Sequence, residues 1–477
     1  MCRCFVIVTK CFHAFILIPS FLFPIKNILA HPAYTVKTAS FRRKNVQSLL
    51  ALNQLLWSGP ALILLLGLHL YHTFHYSFIQ RHIVKGIRLS LGSDTESAPH
   101  GFSRFGSLTT TLAATLGTGN IVGVSTAVYL GGPGAIFWCW LTGVLGMATT
   151  YAETYLCTKY RFADKDGILR GGPMYILKFV LGKKKLAILY STALCLAALG
   201  IGCVTQSNAI TDTCRQVFGV MPAITAILTA FLVGLILLQG KQWIEKFSMA
   251  VVPSMAIFFF GGCLLYLILH SDYLFPALSQ IFSSAFGLSQ IGGGLAGFTV
   301  GKAVRYGIAR GLFTNEAGLG TAGLVAGSSA EEKAENQALI SMSATFWDTV
   351  VLCAVTGLVL AAFQMEYPAE WPLLSAGSLT AAAFAKLPFF GDEILAAAII
   401  CFALATLVGW SFFGRQGFDF LFHGKGTSLY HYLYIIMIFI GGVMPLTLVW
   451  ELTDFINLFL LIPAFYMLVR CRNIDKF

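Results

Sequence analysis

Charge is what this chain most lacks. Asp, Glu, Lys and Arg make up 11 % of its 477 residues, whereas soluble domains carry about 25 %, and the deficit excludes a globule surrounded by water. Acidic residues are the scarcer kind, 21 against 32 basic, for a net charge of +11. A cysteine framework is missing too. The twelve cysteines fall singly, most inside apolar runs where a free thiol behaves as a small hydrophobe, so neither disulfides nor a metal centre is expected. His-Glu-x-x-His, Gly-x-Ser-x-Gly and aspartates framed by helical glycine motifs are all absent, which argues against an intramembrane enzyme.

What the chain has instead is apolar length. Hydrophobic residues reach 57 %, in runs near 51–72, 107–130, 133–157, 186–211, 221–239, 247–270, 303–327, 340–363, 393–413, 431–449 and 453–470. Most are close to the ~20 residues a helix needs to cross a ~30 Å hydrocarbon core. They are too long and continuous for barrel strands, which alternate over about ten residues. The expected fold is therefore an all-α polytopic membrane protein of about 11 transmembrane helices.

The basic excess follows this pattern. With the 107–130 run entering from the cytoplasm, the inward segments hold twenty Lys and Arg and the outward ones two, the positive-inside asymmetry. The charge thus reports orientation in a bacterial inner membrane, with lipid as the surrounding partner and nucleic acid excluded. Residues 1–48 do not fit. Their apolar stretch Cys4–Leu29 is interrupted by Lys10, Pro19, Pro24 and Lys26, and Arg42, Arg43 and Lys44 would fall outside. This segment reads as an extension outside the working domain of 49–477, with a weak anchor helix as the alternative. His69, His72 and His75 share helical spacing near a span end and read as interfacial anchors rather than as metal ligands.

Glycine and polar residues interrupt two of the spans. Leu116-Gly117-Thr118-Gly119-Asn120-Ile121 lies within 107–130, and Thr314-Asn315-Glu316-Ala317-Gly318-Leu319-Gly320-Thr321 within 303–327. Counting the spans after the first as one to ten, these are helices one and six, each opening one half of a five-plus-five pattern. Irregular backbone at membrane depth is tolerated only where it lines a cavity or is buried in protein. A broken helix frees N–H groups that favour a carboxylate and carbonyls that hold a cation. Paired interruptions in two halves point to a transporter's central site, although glycine patterns also serve helix packing.

At these residues, over roughly 50–470, the chain resembles the alanine or glycine:cation symporter family. Gly117-Thr118-Gly119-Asn120-Ile121 is similar to the helix-one motif, and Gly131-Gly132-Pro133-Gly134-Ala135-Ile136-Phe137-Trp138-Cys139-Trp140 to the family signature, with Cys139 where Met is usual. Gly171-Gly172-Pro173-Met174-Tyr175, Asn315-Glu316-Ala317-Gly318-Leu319-Gly320 and Gly409-Trp410-Ser411 match a loop, helix six and helix eight. The resemblance implies a LeuT-like 5+5 inverted-repeat bundle with one extra N-terminal helix. Repeat one would cover about 107–270 and repeat two about 296–470. It also implies symport of a small zwitterionic amino acid (alanine, glycine, D-alanine or serine) with sodium or a proton, and no other cofactor.

The resemblance further implies roles for particular residues. The amides around Thr118 and Gly119 would receive the substrate carboxylate, braced by Asn120. Gln206 would meet the substrate's polar groups, and Gly318, Gly320 and Thr321 would face its ammonium side. Trp410 would wall the pocket, and Thr406 with the carbonyls of Ala113 and Leu116 would hold the cation. The chain departs from the pattern at Ala405, where a second hydroxyl is usual, at Gly323 and Ala326 in place of Pro and His, and at Met249-Ala250 in place of Glu-Lys. Glu153, Glu316 and Asp348 lie within spans, where ionisable groups are functional candidates. An uncoupled facilitator is the alternative function. Oligomeric state, monomer or higher, leaves no mark in the sequence.

Overall fold

The computed structural model describes residues 59–92, 101–287, 295–444 and 447–471. The expected extension, 1–48, lies outside the described residues. The bundle consists of α1 (Pro60–His75) and α2 (Ile83–Leu91), the broken pair α3 (Arg104–Thr115) and α4 (Val122–Gly131), and α5 (Gly134–Lys159). There follow α6 (Lys184–Phe218), α7 (Pro222–Leu238), α8 (Lys241–Leu269) and α9 (Leu274–Phe286). The second half holds α10 (Leu295–Asn315) and α11 (Ala322–Ala326), α12 (Ala334–Glu366) and α13 (Leu379–Phe384). It closes with α14 (Gly391–Phe422), α15 (Thr427–Val443) and α16 (Thr447–Cys471). A two-stranded hairpin, β1 (Phe162–Ala163) with β2 (Leu169–Arg170), joins α5 to the segment before α6.

Each of the eleven apolar runs carries helix in its described part. Among the described residues five helices are long and apolar enough to cross a membrane unaided, α5, α6, α8, α12 and α14, and two further pairs qualify as bent spans. One bent pair is α3/α4, turned by 64° at the Gly117–Asn120 cluster. The other runs from α1 through a short 3-10 turn into α2, turned by 67°. The turn needs left-handed backbone at Ser77 and Phe78, and Gly86 lets α2 lie on α12, since a side chain there would strike the Leu339 carbonyl.

Positions along the chain explain where helices start and stop. Ser103 caps α3 by accepting from the Gly106 amide at 2.9 Å, and Pro222 opens α7 at a position where its missing N–H costs nothing. α5 packs along α10 and α12, and α14 along α6 and α8, so these two helices are the pillars of the bundle. Both are rich in small residues, which let membrane helices approach closely. Outward faces of α7 and α8 carry Ile227, Leu228, Phe231, Ile257 and Ile268, all exposed, as lipid-facing surface requires.

Besides a π-helical stretch at Ile176–Val180 before α6, two of the long helices contain a wider turn. α6 passes through π-helix at Gly200–Thr205 and α12 at Phe346–Cys353, a form that recurs at functional sites. These turns bring Gln206 and Asp348 toward the first break. At the inner end, Phe102 bridges the two halves: its amide donates to the Ser328 carbonyl at 3.0 Å and its carbonyl accepts from Ala330 at 2.8 Å. The chain entering α3 is thereby joined to the chain leaving α11.

The histidine triplet differs from expectation. His69 and His72 are buried, with Nδ1 atoms 2.8 and 3.2 Å from the Thr149 hydroxyl on α5. They tie α1 to the bundle, because α1 packs its polar stripe inward against α5 rather than ending at the interface. Among the described residues no His, Cys, Asp or Glu group could hold a metal ion.

Candidate substrate and cation site

The first break is held open by its own side chains. α3 ends at Thr115, Leu116 and Gly117 run extended, and a single 3-10 turn, Thr118–Asn120, leads to α4. Asn120 is fully buried. Its Oδ1 accepts from the Gly117 amide at 3.1 Å, and its Nδ2 donates to Asp348 Oδ1 at 2.6 Å and to the Asp348 carbonyl at 3.2 Å. The remaining Asp348 oxygen accepts from Thr349 at 2.6 Å. Asn120 thus braces the unwound segment against the π-turn of α12.

Around this brace the expected residues gather. Thr406 Oγ1 donates to the Leu116 carbonyl at 3.1 Å and to Phe402 in its own helix at 3.0 Å. Gly409 allows the approach, since a side chain there would stand 2.7 Å from the Ala114 amide and 3.0 Å from the Ala113 carbonyl carbon. Thr118 Oγ1 reaches Gln206 Oε1 at 3.4 Å. Gly119 faces the Thr314 methyl at the end of α10, so the two breaks adjoin. Among the described residues the amides of Thr118 and Gly119 meet no acceptor, which leaves a pair of donors at the entrance to α4.

Trp410 is buried against the π-turn of α6, where Gly202 leaves room for it: a side chain at Gly202 would fall 2.2 Å from the Trp410 Cβ. Its indole Nε1 has no hydrogen-bond partner among the described residues. Tyr434 donates to the carbonyls of Gly202 at 3.1 Å and Leu407 at 2.8 Å, fixing this wall. Ala405, where a hydroxyl is usual, is wholly buried.

The second break is built around a residue whose role the sequence did not disclose. Glu316, Gly318 and Gly320 all have left-handed φ, +53°, +92° and +83°, and for a glutamate that is stored strain. The fully buried Glu153 on α5 gathers the loop, as its Oε2 accepts from the amides of Gly318 and Gly320, both at 3.1 Å. Thr321 Oγ1 donates to Glu316 at 2.7 Å, and Tyr190 to the Leu319 carbonyl at 3.0 Å. The neighbours of Gly318 are Leu65, Leu68 and Thr149, while those of Gly320 are Pro173 and Tyr190. So Thr118, Asn120, Gln206, Leu116 and Thr406 converge at one place, and Gly318, Gly320 and Thr321 form a neighbouring centre whose donors are already engaged. An acid in mid-helix was the only sign of Glu153; its partners are 165 and 167 residues away.

Gly323 has a structural reason. A side chain there would meet the Cys157 sulfur at 2.5 Å, so the residue keeps α11 pressed on α5 where the family pattern has Pro.

Two discontinuous helices whose breaks adjoin, with two amides that meet no acceptor among the described residues and a carbonyl turned toward Thr406, are a form that membrane transporters use. The chain belongs to the sodium:alanine symporter family, whose model matches residues 43–474, and as a member it is a transporter rather than an enzyme. It is 39 % identical over 436 residues to an uncharacterized transporter of Haemophilus influenzae, covering 90 % of this chain and 94 % of that one. To the sodium/alanine symporter AgcS of Methanococcus maripaludis it is also 39 % identical, over 417 residues that cover 86 % of this chain and 91 % of AgcS. A Bacillus subtilis protein named "Probable sodium/glutamine symporter GlnT" is 31 % identical over 408 residues, covering 84 % of this chain and 83 % of GlnT.

Proposed function

We propose that this protein carries a small neutral amino acid, alanine or glycine, with D-alanine and serine as further candidates, into the cell together with one or more sodium ions. It does so by alternating access in a bacterial inner membrane, with two repeats of about 107–270 and 296–470 moving around the breaks. The observation that carries the reading is the convergence at the first break. Among the described residues the Thr118 and Gly119 amides, in the 3-10 turn that leads into α4, meet no acceptor, and free amides before a helix favour an anion. The Leu116 carbonyl is turned toward Thr406.

In this reading the substrate carboxylate sits on the Thr118 and Gly119 amides, and Gln206 takes a polar group of the substrate. The cation takes the Leu116 and Ala113 carbonyls with the Thr406 hydroxyl. Asn120 positions the segment without touching either. Trp410 limits the pocket on the α6 side. Gly318, Gly320 and Thr321 contribute carbonyls toward the ammonium group, since Glu153 and Glu316 occupy their donors. Sodium is preferred to a proton because the converging groups are carbonyl and hydroxyl oxygens, hard ligands suited to a small cation. The AgcS relative is named for sodium and alanine.

The test is uptake of radiolabelled alanine and glycine into proteoliposomes under an inward sodium gradient, an inward proton gradient, or neither. Accumulation above equilibrium with sodium alone supports the proposal. Accumulation with protons alone reassigns the ion, and equilibration without a gradient favours an uncoupled facilitator. No entry of either amino acid into vesicles holding folded protein sinks the substrate assignment.

A further inference from the structure

We propose that the cytoplasmic half of α8 carries a binding site for an anionic glycerophospholipid, with its headgroup in a cationic cleft and one acyl chain in an apolar groove beneath. The inference rests on the membrane placement of the chain and not on its substrate, so it can fail independently of the transport reading.

Two cavities share one flank of α8. The first, about 650 Å³, is lined by Lys241, Gln242, Glu245, Lys246 and Met249 of α8 together with Ser103, the β-hairpin and the inner end of α14. The second, about 360 Å³, is lined by Val252, Pro253, Ala256, Ile257 and Phe260 of α8 with α2, α3 and α12. Lys246, Met249, Pro253, Ala256 and Phe260 follow one another at helical spacing of three or four, and so lie on one face of the helix. Ser103 borders the cleft, and Phe105 and Leu108 border the groove. The groove therefore begins where the cleft ends, deeper in the membrane.

Their chemistries are opposite and complementary to an amphiphile. Arg170, Lys241, Lys246 and Arg415 line the cleft against two acids, Glu245 and Asp419. Arg170 also pairs with Asp164 at 2.7 Å and Lys241 donates to the Ser328 carbonyl at 2.8 Å, so Lys246 is the cation most open to a headgroup. Both acids are engaged. Glu245 accepts from the amide and hydroxyl of Ser103 at 2.8 and 2.6 Å. Asp419 accepts from Thr427 at 2.8 Å and stands 3.7 and 3.6 Å from Arg170 and Arg415. Lys246 is exposed, its ammonium 5.6 Å from the Trp243 ring. The groove, by contrast, is almost wholly apolar apart from Ser90 and Thr109. By the positive-inside asymmetry the cleft opens at the cytoplasmic leaflet, where basic pockets between helices take anionic headgroups. The groove also reaches Leu116, so an acyl chain in it would touch the end of α3, whose carbonyl faces Thr406.

The test compares purified protein given phosphatidylglycerol, phosphatidylcholine or free glycerol 3-phosphate, reading lipid retention by native mass spectrometry and unfolding temperature. Phosphatidylglycerol should be retained and should raise the unfolding temperature, whereas phosphatidylcholine should do neither. Lys246→Gln should weaken retention about fivefold, the worth of one cation near a membrane surface. Ala256→Phe, which fills the groove, should abolish it in protein that stays monodisperse. Equal retention of the two lipids, an equal effect of free glycerol 3-phosphate, or retention unchanged in both variants would overturn the proposal.

Discussion

Replacing Asn120 with Ala tests whether the first break is held by this one side chain. The substitution removes the acceptor of the Gly117 amide and the donor to Asp348, and all these groups are buried. An orphaned buried polar group costs about 1–3 kcal/mol, so two cost roughly 2–6 kcal/mol before relaxation. A water entering the small cavity would recover part of this, leaving about 2–4 kcal/mol. At about 1.4 kcal/mol per factor of ten, even the lower bound depletes the braced conformation more than tenfold.

The assay is the initial rate of sodium-driven uptake in proteoliposomes, read beside thermal unfolding. Asn120→Ala should lose at least ten-fold in rate while reaching the membrane normally. Asp348→Ala should lose comparably, and the double variant should be little worse than either, with a coupling of about 1–3 kcal/mol expected of residues in one hydrogen-bond network. Asp348→Asn keeps an acceptor for Asn120 and should retain more transport than Asp348→Ala. Strict additivity, or unchanged uptake by Asn120→Ala, would refute the bracing argument.

Other outcomes follow from the same geometry. Thr406→Val should weaken the apparent sodium affinity while Thr406→Ser preserves it, checked by the sodium dependence of uptake at saturating substrate. Gly202→Ala would place a methyl 2.2 Å from the Trp410 Cβ and should destabilise by about 1–3 kcal/mol. Gly146→Ala meets nothing nearer than 3.4 Å and should be neutral or slightly stabilising in the same thermal assay. In the hairpin after α5, burial alone would raise the Asp164 carboxyl, but the Arg170 guanidinium and the amides of Ile168 and Asp166 outweigh it and hold it below the usual range. A depressed carboxylate contributes stability above its unfolded value and loses it as pH falls through the folded one. Protection factors of the amides in 162–170, which correct for the slower intrinsic exchange in acid, should therefore fall on acidification below the ordinary carboxylate range, and Asp164→Asn should show low protection throughout.

The sequence exposed the first break more fully than the second. Gly117, Gly119 and Asn120 stand out because they interrupt a long apolar run at a place equivalent to the second cluster, whereas either cluster alone reads equally as helix packing. Their partners Thr406 and Gln206 were accessible only through the family resemblance, since nothing local links residues 88 and 290 positions apart. Glu153 was visible as a misplaced charge, yet its role depends on a loop that comes to it from another part of the chain. The π-turns at Gly200 and Phe346 left no pattern, because one extra residue in a turn barely shifts hydrophobic periodicity. Packing likewise overruled the reading of His69 and His72 as interfacial: the helix they sit on turns its polar stripe toward Thr149.

The bridge through Phe102 has a mechanical consequence. The inner arms of both discontinuous helices are stitched by main-chain bonds that do not depend on side-chain identity short of proline. While these bonds hold, a tilt of one arm would carry the other with it. An ion settling beside Leu116 and a solute settling between the breaks would feel the same movement, so neither half of the cargo could be released by an arm swinging alone. Tight stoichiometry would then come from linkage between moving parts as much as from the affinity of either site.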